Sequence, residues 1–407
     1  MLVIDQDRVL ASLQALARFG AQGRGVNRPA LSRPDMQARQ WLAAEMSDAG
    51  LAVTIDAVGN VFGRSRAARA LLLGSHCDSV PTGGWLDGAL GVIYGIEAAR
   101  AMGQQYPDAE VGIDVVAFAD EEGRYLSCLG SKWFCGELGA HDLAALKFDG
   151  VSFPEAARDI GLHPDIGALL DPARHVGYVE AHIEQGPRLD DGQLDLGIVT
   201  GIAGMRRFGV SFAGQADHAG TTPMALRRDA GMAALDFAVA LRDRFVALRA
   251  PDAVWNFGAI SFFPGVANVV PKEAQLTVEI RDLDVQHLDA MQACLEQLVR
   301  QDDYRAGVRI ACTLTGNLAP ARMDPALTQL LATASARGSS KIMRMHSGAI
   351  HDAMVMSRYL PSAMLFVPSI GGRSHDAIED TAERHLRLGA KVFADAAYAM
   401  TQGAGRE

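Results

Sequence analysis

The chain has 407 residues, enough for two or three domains, and 49% hydrophobic residues are sufficient to fill a core. Its 38 Lys+Arg against 48 Asp+Glu leave a net charge of −10, which disfavours nucleic acid or anionic membrane as a partner and favours a small polar substrate. Met1-Leu2-Val3-Ile4-Asp5 offers neither a basic segment nor a long apolar one, so a cytoplasmic location is expected, and five cysteines without a CxxC pair argue against a disulfide framework.

Residues 35–49 place Met36, Leu42, Ala43 and Met46 near helical spacing, with Gly50 as a stop, and predict an amphipathic helix. There follow a strand over Leu51–Asp56, a Gly59-Asn60 turn, the apolar Leu71-Leu72-Leu73, a helix from about Ala89 to Met102, and the run Ile113–Ala119. Short apolar strands between helices predict an α/β fold with a mixed, largely parallel, buried sheet. The pattern then changes. A strand over Phe208–Phe212 and a long helix around Arg228–Arg249 precede Ala274–Arg281, where Ala274, Leu276, Val278 and Ile280 alternate with polar residues, as in a sheet with one solvated face. Residues 206–320 therefore read as an inserted α+β domain between catalytic segments 1–205 and 321–407. Met364–Val367 predicts one more buried strand and Glu383–Ala399 a final helix.

The candidates for chemistry lie at the ends of strand-like runs outside the insert. His76 closes one, and Asp78, at i+2, is expected on the same side, its carboxylate accepting the free ring N–H of a metal-bound His76; taken alone, the residue reads first as a hydrogen-bonded loop histidine. Cys77, between them, points the other way on a strand. Asp87, in Gly83-Gly84-Trp85-Leu86-Asp87-Gly88, precedes a helix and reads as a ligand or as an N-cap. Asp120-Glu121-Glu122 puts three acids at a strand's C-terminal end, costly unless cations neutralise them, with a solvated acidic turn as the alternative. One of the glutamates can bind metal while the other takes a proton from water. His182 and His375 follow two further strand-like runs. Two His–carboxylate clusters sharing one Asp would hold two divalent cations, whose main use is to activate water.

The segments His76-x-Asp78, Gly83–Gly88, Asp120–Gly123, His182-Ile183-Glu184-Gln185-Gly186-Pro187, His218-Ala219-Gly220-Thr221-Thr222-Pro223-Met224 and Ser347–Asp352 resemble the hydantoinase/carbamoylase amidases, a branch of the M20 dinuclear metallohydrolases. The resemblance covers nearly the whole chain, and the fourth and fifth segments are the most specific to that branch. It implies an aminopeptidase-like catalytic domain and an inserted lid and dimerisation domain. It further implies two divalent ions per subunit, zinc first and manganese or cobalt as options, with Asp87 bridging, His76 and His182 on one ion, and Glu122 and His375 on the other. Glu121 becomes the general base. His218 stabilises the oxyanion from the neighbouring subunit of a homodimer, and Gln185, Asn268 and Arg281 hold the substrate. Arg281 suits a carboxylate because its planar fork can meet both oxygens.

The activity so implied is hydrolysis of the C–N bond of an N-carbamoyl-L-amino acid or related ureido acid, releasing ammonia and carbon dioxide. The alternatives are allantoate or ureidoglycolate hydrolysis and deacylation of an N-acyl amino acid. Arg227-Arg228-Asp229 is expected to form an ion cluster at a helix start, and His351-Asp352 reads as either support for the site or plain structure. Three positions depart from the branch pattern: Arg124-Tyr125 follows Gly123 directly, Ile350 replaces a small residue, and Arg373 stands just before Ser374-His375, where it offers a second anion contact.

Overall fold

Four apolar segments, Ser362–Val367, His175–Ile183, Arg69–His76 and Val111–Phe118, lie side by side and run parallel at the centre of a nine-stranded sheet in the computed structural model, which describes residues 1–162, 167, 169–248, 250–301 and 307–404. Their residues are nearly all buried, as strands covered on both faces must be. Antiparallel strands close the sheet on both sides: Leu196–Ile202 pairs with Ser362–Val367, and Val61–Arg64 pairs with Val111–Phe118. The fold is thus mixed α/β.

The helix Ala89–Gln105 is buried around almost its whole circumference, because it packs on the central strands and beneath Glu383–Ala404. Arg33–Asp48 starts at Ser32, whose hydroxyl accepts the Asp35 N–H, and gives way to Gly50 at φ +88. These strands and helices, with Met1–Thr200 and Arg322–Glu407, form one unit.

Gly201–Ala321 forms the other unit, where the sequence pattern placed a boundary at 206 and 320. Its four antiparallel strands run in the order Val254–Phe263, Glu273–Asp282, Gly204–Ala213, Arg309–Leu318. Ala274, Leu276, Val278 and Ile280 point to one face, against Phe237, Leu241, Met291 and Leu295 from helices Ala230–Ala247 and Val285–Arg300. The edge strand Val254–Phe263 leaves Val254, Ile260, Phe262 and Phe263 exposed. Among the described residues, no helix is long and apolar enough to cross a membrane.

Candidate metal centre

Adjacent parallel strands end at the same edge of a sheet, which is where α/β proteins build their sites. His76 is the last residue of one strand, His182 lies near the end of its neighbour, Asp120-Glu121-Glu122 follow Val111–Phe118, and His375 lies in the loop after Val367. Residues far apart in sequence therefore converge. Asp87 Oδ1 lies 3.1 Å from His182 Nε2 and 3.5 Å from His76 Nε2. Its other oxygen is 3.4 Å from His375 Nε2, which is also 3.3 Å from Glu122 Oε2. Two potential ligand groups result, His76–Asp87–His182 and Asp87–Glu122–His375, sharing Asp87.

The histidine orientations are set by backbone. The Asp78 carbonyl accepts from His76 Nδ1 at 3.1 Å, and the Ile183 carbonyl from His182 Nδ1 at 2.9 Å, so each Nε2 lone pair faces inward. This corrects the expectation for the Asp78 carboxylate, which stays 3.8 Å from His76 Nδ1. The alternation that would align Asp78 with His76 ends with the strand at His76. The carboxylate instead accepts the backbone N–H groups of Glu121 and Glu122, at 3.4 and 3.3 Å, with Arg39 Nη2 3.7 Å behind it.

Asp87 does not cap the following helix; the cap is Gly88, at φ +66. Gln185 Nε2 and Ser374 Oγ donate to Asp87 Oδ2 instead. Of the three acids, Asp120 turns away: at φ +55 its oxygens accept the N–H groups of Arg124, Tyr125 and Leu126 and shape the loop. Glu121 is buried, with Oε2 3.8 Å from His76 Nε2. Gln185 and His375 share the left-handed backbone of Asp120, so strain is concentrated at this edge.

Burial pushes Glu121 well above the usual carboxylate range, and it raises Glu122 as well. Burial would also raise Asp87, but the imidazoles of His182, His375 and His76 packed against its oxygens hold it well below that range. Hydrogen bonds to Asp87 and Glu122 push His375 up to about 10.

Two further residues lie near the cluster, Glu379, which carried no signal in the sequence, and His351, which read there as either support or plain structure. Glu379, buried in a polar loop, contacts the segment bearing Asp87. His351 packs edge-on against His182, ring centroids 4.5 Å apart, and its Nε2 meets Ser347 Oγ at 2.8 Å. Arg124 bends to the Ala30 carbonyl and lies over the Phe148 ring.

The remaining candidates belong to the inserted unit. His218 and Asn268 are neighbours there: Ala219 N donates to the Asn268 carbonyl at 3.0 Å, and His218 bridges to Val269. Gly220 N donates to His218 Nδ1 at 3.0 Å, which assigns the ring proton to Nε2 and makes that exposed nitrogen a donor. Arg281, on the Glu273–Asp282 strand, donates through Nε to Glu279, which also accepts from Arg207. The expected ion cluster at 227–229 is replaced by two separate tasks. Asp229 caps helix Ala230–Ala247, while Arg227 donates to the Thr222 and Ala219 carbonyls and braces the loop carrying His218.

The donor set fits two divalent cations on structural grounds. Imidazole and carboxylate are their usual ligands, the two buried rings aim Nε2 at Asp87 Oδ1, with His182 Nε2 also accepting the Gly88 N–H at 3.1 Å, and Glu122 Oε1 and Gln185 Oε1 are buried with no partner among the described residues.

Comparison with known proteins gives a consistent result. The model of peptidase family M20/M25/M40 matches residues 72–399. An N-carbamoyl-L-amino-acid amidohydrolase of Paenarthrobacter aurescens is 35% identical, over 95% of this chain and 96% of its own. An allantoate amidohydrolase of Bacillus subtilis is 33% identical, over 95% of this chain and 96% of its own. A hydantoinase/carbamoylase family amidase of known structure from Burkholderia phymatum is 44% identical, with a TM-score of 0.93 and 99% of both chains covered.

Proposed function

This chain belongs to peptidase family M20/M25/M40 and to its hydantoinase/carbamoylase amidases, and from that premise we propose that it hydrolyses an N-carbamoyl-L-amino acid or a closely related ureido acid. The observation that carries the reading is the pair of ligand clusters sharing Asp87, with a buried carboxylate, Glu121, beside them.

His76, Asp87 and His182 would hold one cation, and Asp87, Glu122 and His375 the other, zinc being our first choice and manganese or cobalt the alternatives. Two such ions supply, when bound, a water of lowered pKa and a polarised carbonyl, needed because two nitrogens deactivate a ureido carbon. Glu121 is the general base. Its carboxylate lies beside the cluster, with Oε2 3.8 Å from His76 Nε2, where it can take the proton of the attacking water and return it to the departing nitrogen. The Asp78 carboxylate fixes the Glu121–Glu122 backbone and so aims both side chains. The C–N bond then breaks, the amino acid leaves, and the carbamate falls to ammonia and carbon dioxide.

His218 Nε2–H is proposed as the oxyanion donor, supplied by the second subunit of a homodimer, and the Gly220 contact that fixes its tautomer supports this. The dimer reading is supported by the exposed apolar edge strand Val254–Phe263 and by Leu235 and Val239 on helix Ala230–Ala247. Gln185, Asn268 and Arg281 are assigned to substrate, Arg281 to its carboxylate with Glu279 holding the guanidinium. A cytoplasmic enzyme accords with five free cysteines.

The test is a panel of N-carbamoyl amino acids, allantoate, ureidoglycolate and N-acyl amino acids, assayed with chelated and metal-reconstituted protein for amine, ammonia and carbon dioxide. Turnover of a carbamoyl amino acid only after reconstitution is expected. Preference for allantoate would move the enzyme to the sibling activity, and full turnover by metal-free protein would overturn the mechanism.

A further inference from the structure

His375 is the least supported ligand of the cluster. His76 and His182 have Nδ1 tied to backbone carbonyls, whereas among the described residues His375 Nδ1 has no hydrogen-bond partner. Its side chain is 50% exposed and its backbone is left-handed, at φ +55. A histidine with these freedoms needs another restraint to keep Nε2 on Asp87 and Glu122.

We propose that Glu379 is the positioning residue that supplies it, by clipping the loop that carries His375 to the loop that carries Asp87. Glu379 Oε1 accepts the backbone N–H of Leu86 and of Asp87, both at 3.1 Å. Its Oε2 lies 3.0 Å from the hydroxyl of Ser374, the residue before His375, and the same hydroxyl lies 3.1 Å from Asp87 Oδ2. One buried carboxylate thus ties the Asp87 backbone to the neighbour of His375, and Ser374 ties the two ligands' segments a second time. The chain makes room for it at Gly84, where a Cβ would come within 2.0 Å of the Glu379 carboxyl. Glu379 touches neither substrate nor reacting atoms in this assignment. It acts through the spacing of Asp87 and His375, as supports of metal ligands commonly do, at a cost of about 10–100-fold in affinity when removed.

The inference rests on reading the clusters as metal sites, and the experiment separates the two. Wild-type protein, chelated and then titrated with zinc, manganese or cobalt, should take up two equivalents; fewer would sink the metal-site reading itself. Glu379→Ala should keep one tight equivalent, on His76–Asp87–His182, and bind the second about 10–100-fold more weakly. Glu379→Gln should restore both, because its amide oxygen can still accept from Leu86 and Asp87 while its NH2 meets Ser374. Ser374→Ala, a milder change, should weaken the second equivalent about tenfold without lowering the melting temperature of the chelated protein, and it carries the test should Glu379→Ala fail to fold. Wild-type binding of both equivalents by Glu379→Ala and Ser374→Ala overturns the assignment. So does a Gln variant as impaired as the Ala variant, which would make charge rather than position the cause.

Discussion

Gly88→Ala tests the packing of the centre without replacing a proposed ligand or any polar side chain. Gly88 stands at φ +66, and a Cβ built there meets Nδ1, Cε1 and Nε2 of His76 at 2.5 Å. Carbon contacts settle near about 3.5 Å, so the imidazole must retreat by about 1 Å. At φ +66 and ψ −48 the residue lies in the strained γ-turn region outside the left-handed helical well, so an alanine there adds about 1–3 kcal/mol of backbone strain, less than a typical domain's stability, and the variant should fold. The ring is tied at Nδ1 to the Asp78 carbonyl, so it must pivot about that contact, which carries Nε2 off the line to Asp87. A displacement of about 1 Å at a reacting centre costs about 100-fold in rate, or about 2.7 kcal/mol of barrier. We therefore expect kcat/KM on the best substrate of the panel to fall about 100-fold, with weakened binding of the cation on His76–Asp87–His182. Steady-state kinetics and metal titration, with far-UV circular dichroism as the folding control, decide it. Wild-type kinetics and two tight equivalents in Gly88→Ala would refute the assignment of His76 to a tightly packed ligand position.

Glu121→Gln keeps the volume of the buried side chain and removes the base, so it should retain two cations and the wild-type melting profile while kcat falls about 10²–10⁴-fold; metal analysis and stopped assays check both. Metal uptake at the His375 cluster should be pH-dependent, because a cation must displace the proton that Asp87 and Glu122 hold on His375 up to about 10. Affinity should rise about tenfold per pH unit through the neutral range, and calorimetric titration in buffers of different ionisation enthalpy should detect the released proton. The same raised pKa makes the pairing of His375 a source of stability that is complete below 6.5 and lost as pH climbs through about 10, so chelated protein should melt at progressively lower temperature over that span. If His218 acts across a dimer, mixing unfolded and refolded His218→Ala with Glu121→Gln should restore activity through the mixed dimer, which contains one intact site; no gain over either parent would place His218 in its own subunit's chemistry or in none.

How far the site was legible depends on whether a residue's task is recorded in its type and spacing or in its backbone. The segments bearing the candidate ligands converge because each strand is an apolar run followed by a His or acid, and adjacent parallel strands must bring such ends together. The one-sided strand Glu273–Asp282 was legible from the alternation Ala274, Leu276, Val278, Ile280, all four of which are buried. Asp120, Glu121 and Glu122, by contrast, are one chemistry repeated. What separates them is the left-handed backbone at Asp120, which turns its carboxylate back onto three N–H groups and leaves the next two acids to face the cluster. Asp78 was misassigned for a related reason: the period-2 rule was applied one step past the end of the strand, where the carbonyl and not the carboxylate lies beside His76. Glu379 acts on the backbone N–H groups of Leu86 and Asp87, remote in sequence, and Arg227 on the Thr222 and Ala219 carbonyls of its own loop. No residue pattern encodes such contacts, because any N–H or C=O would serve. The proposed ligands of this centre are thus written in side-chain identity, while their placement is written in hydrogen bonds to the main chain, and variants of Gly88, Asp78 and Glu379 should damage the centre although none of the three is proposed to touch a cation.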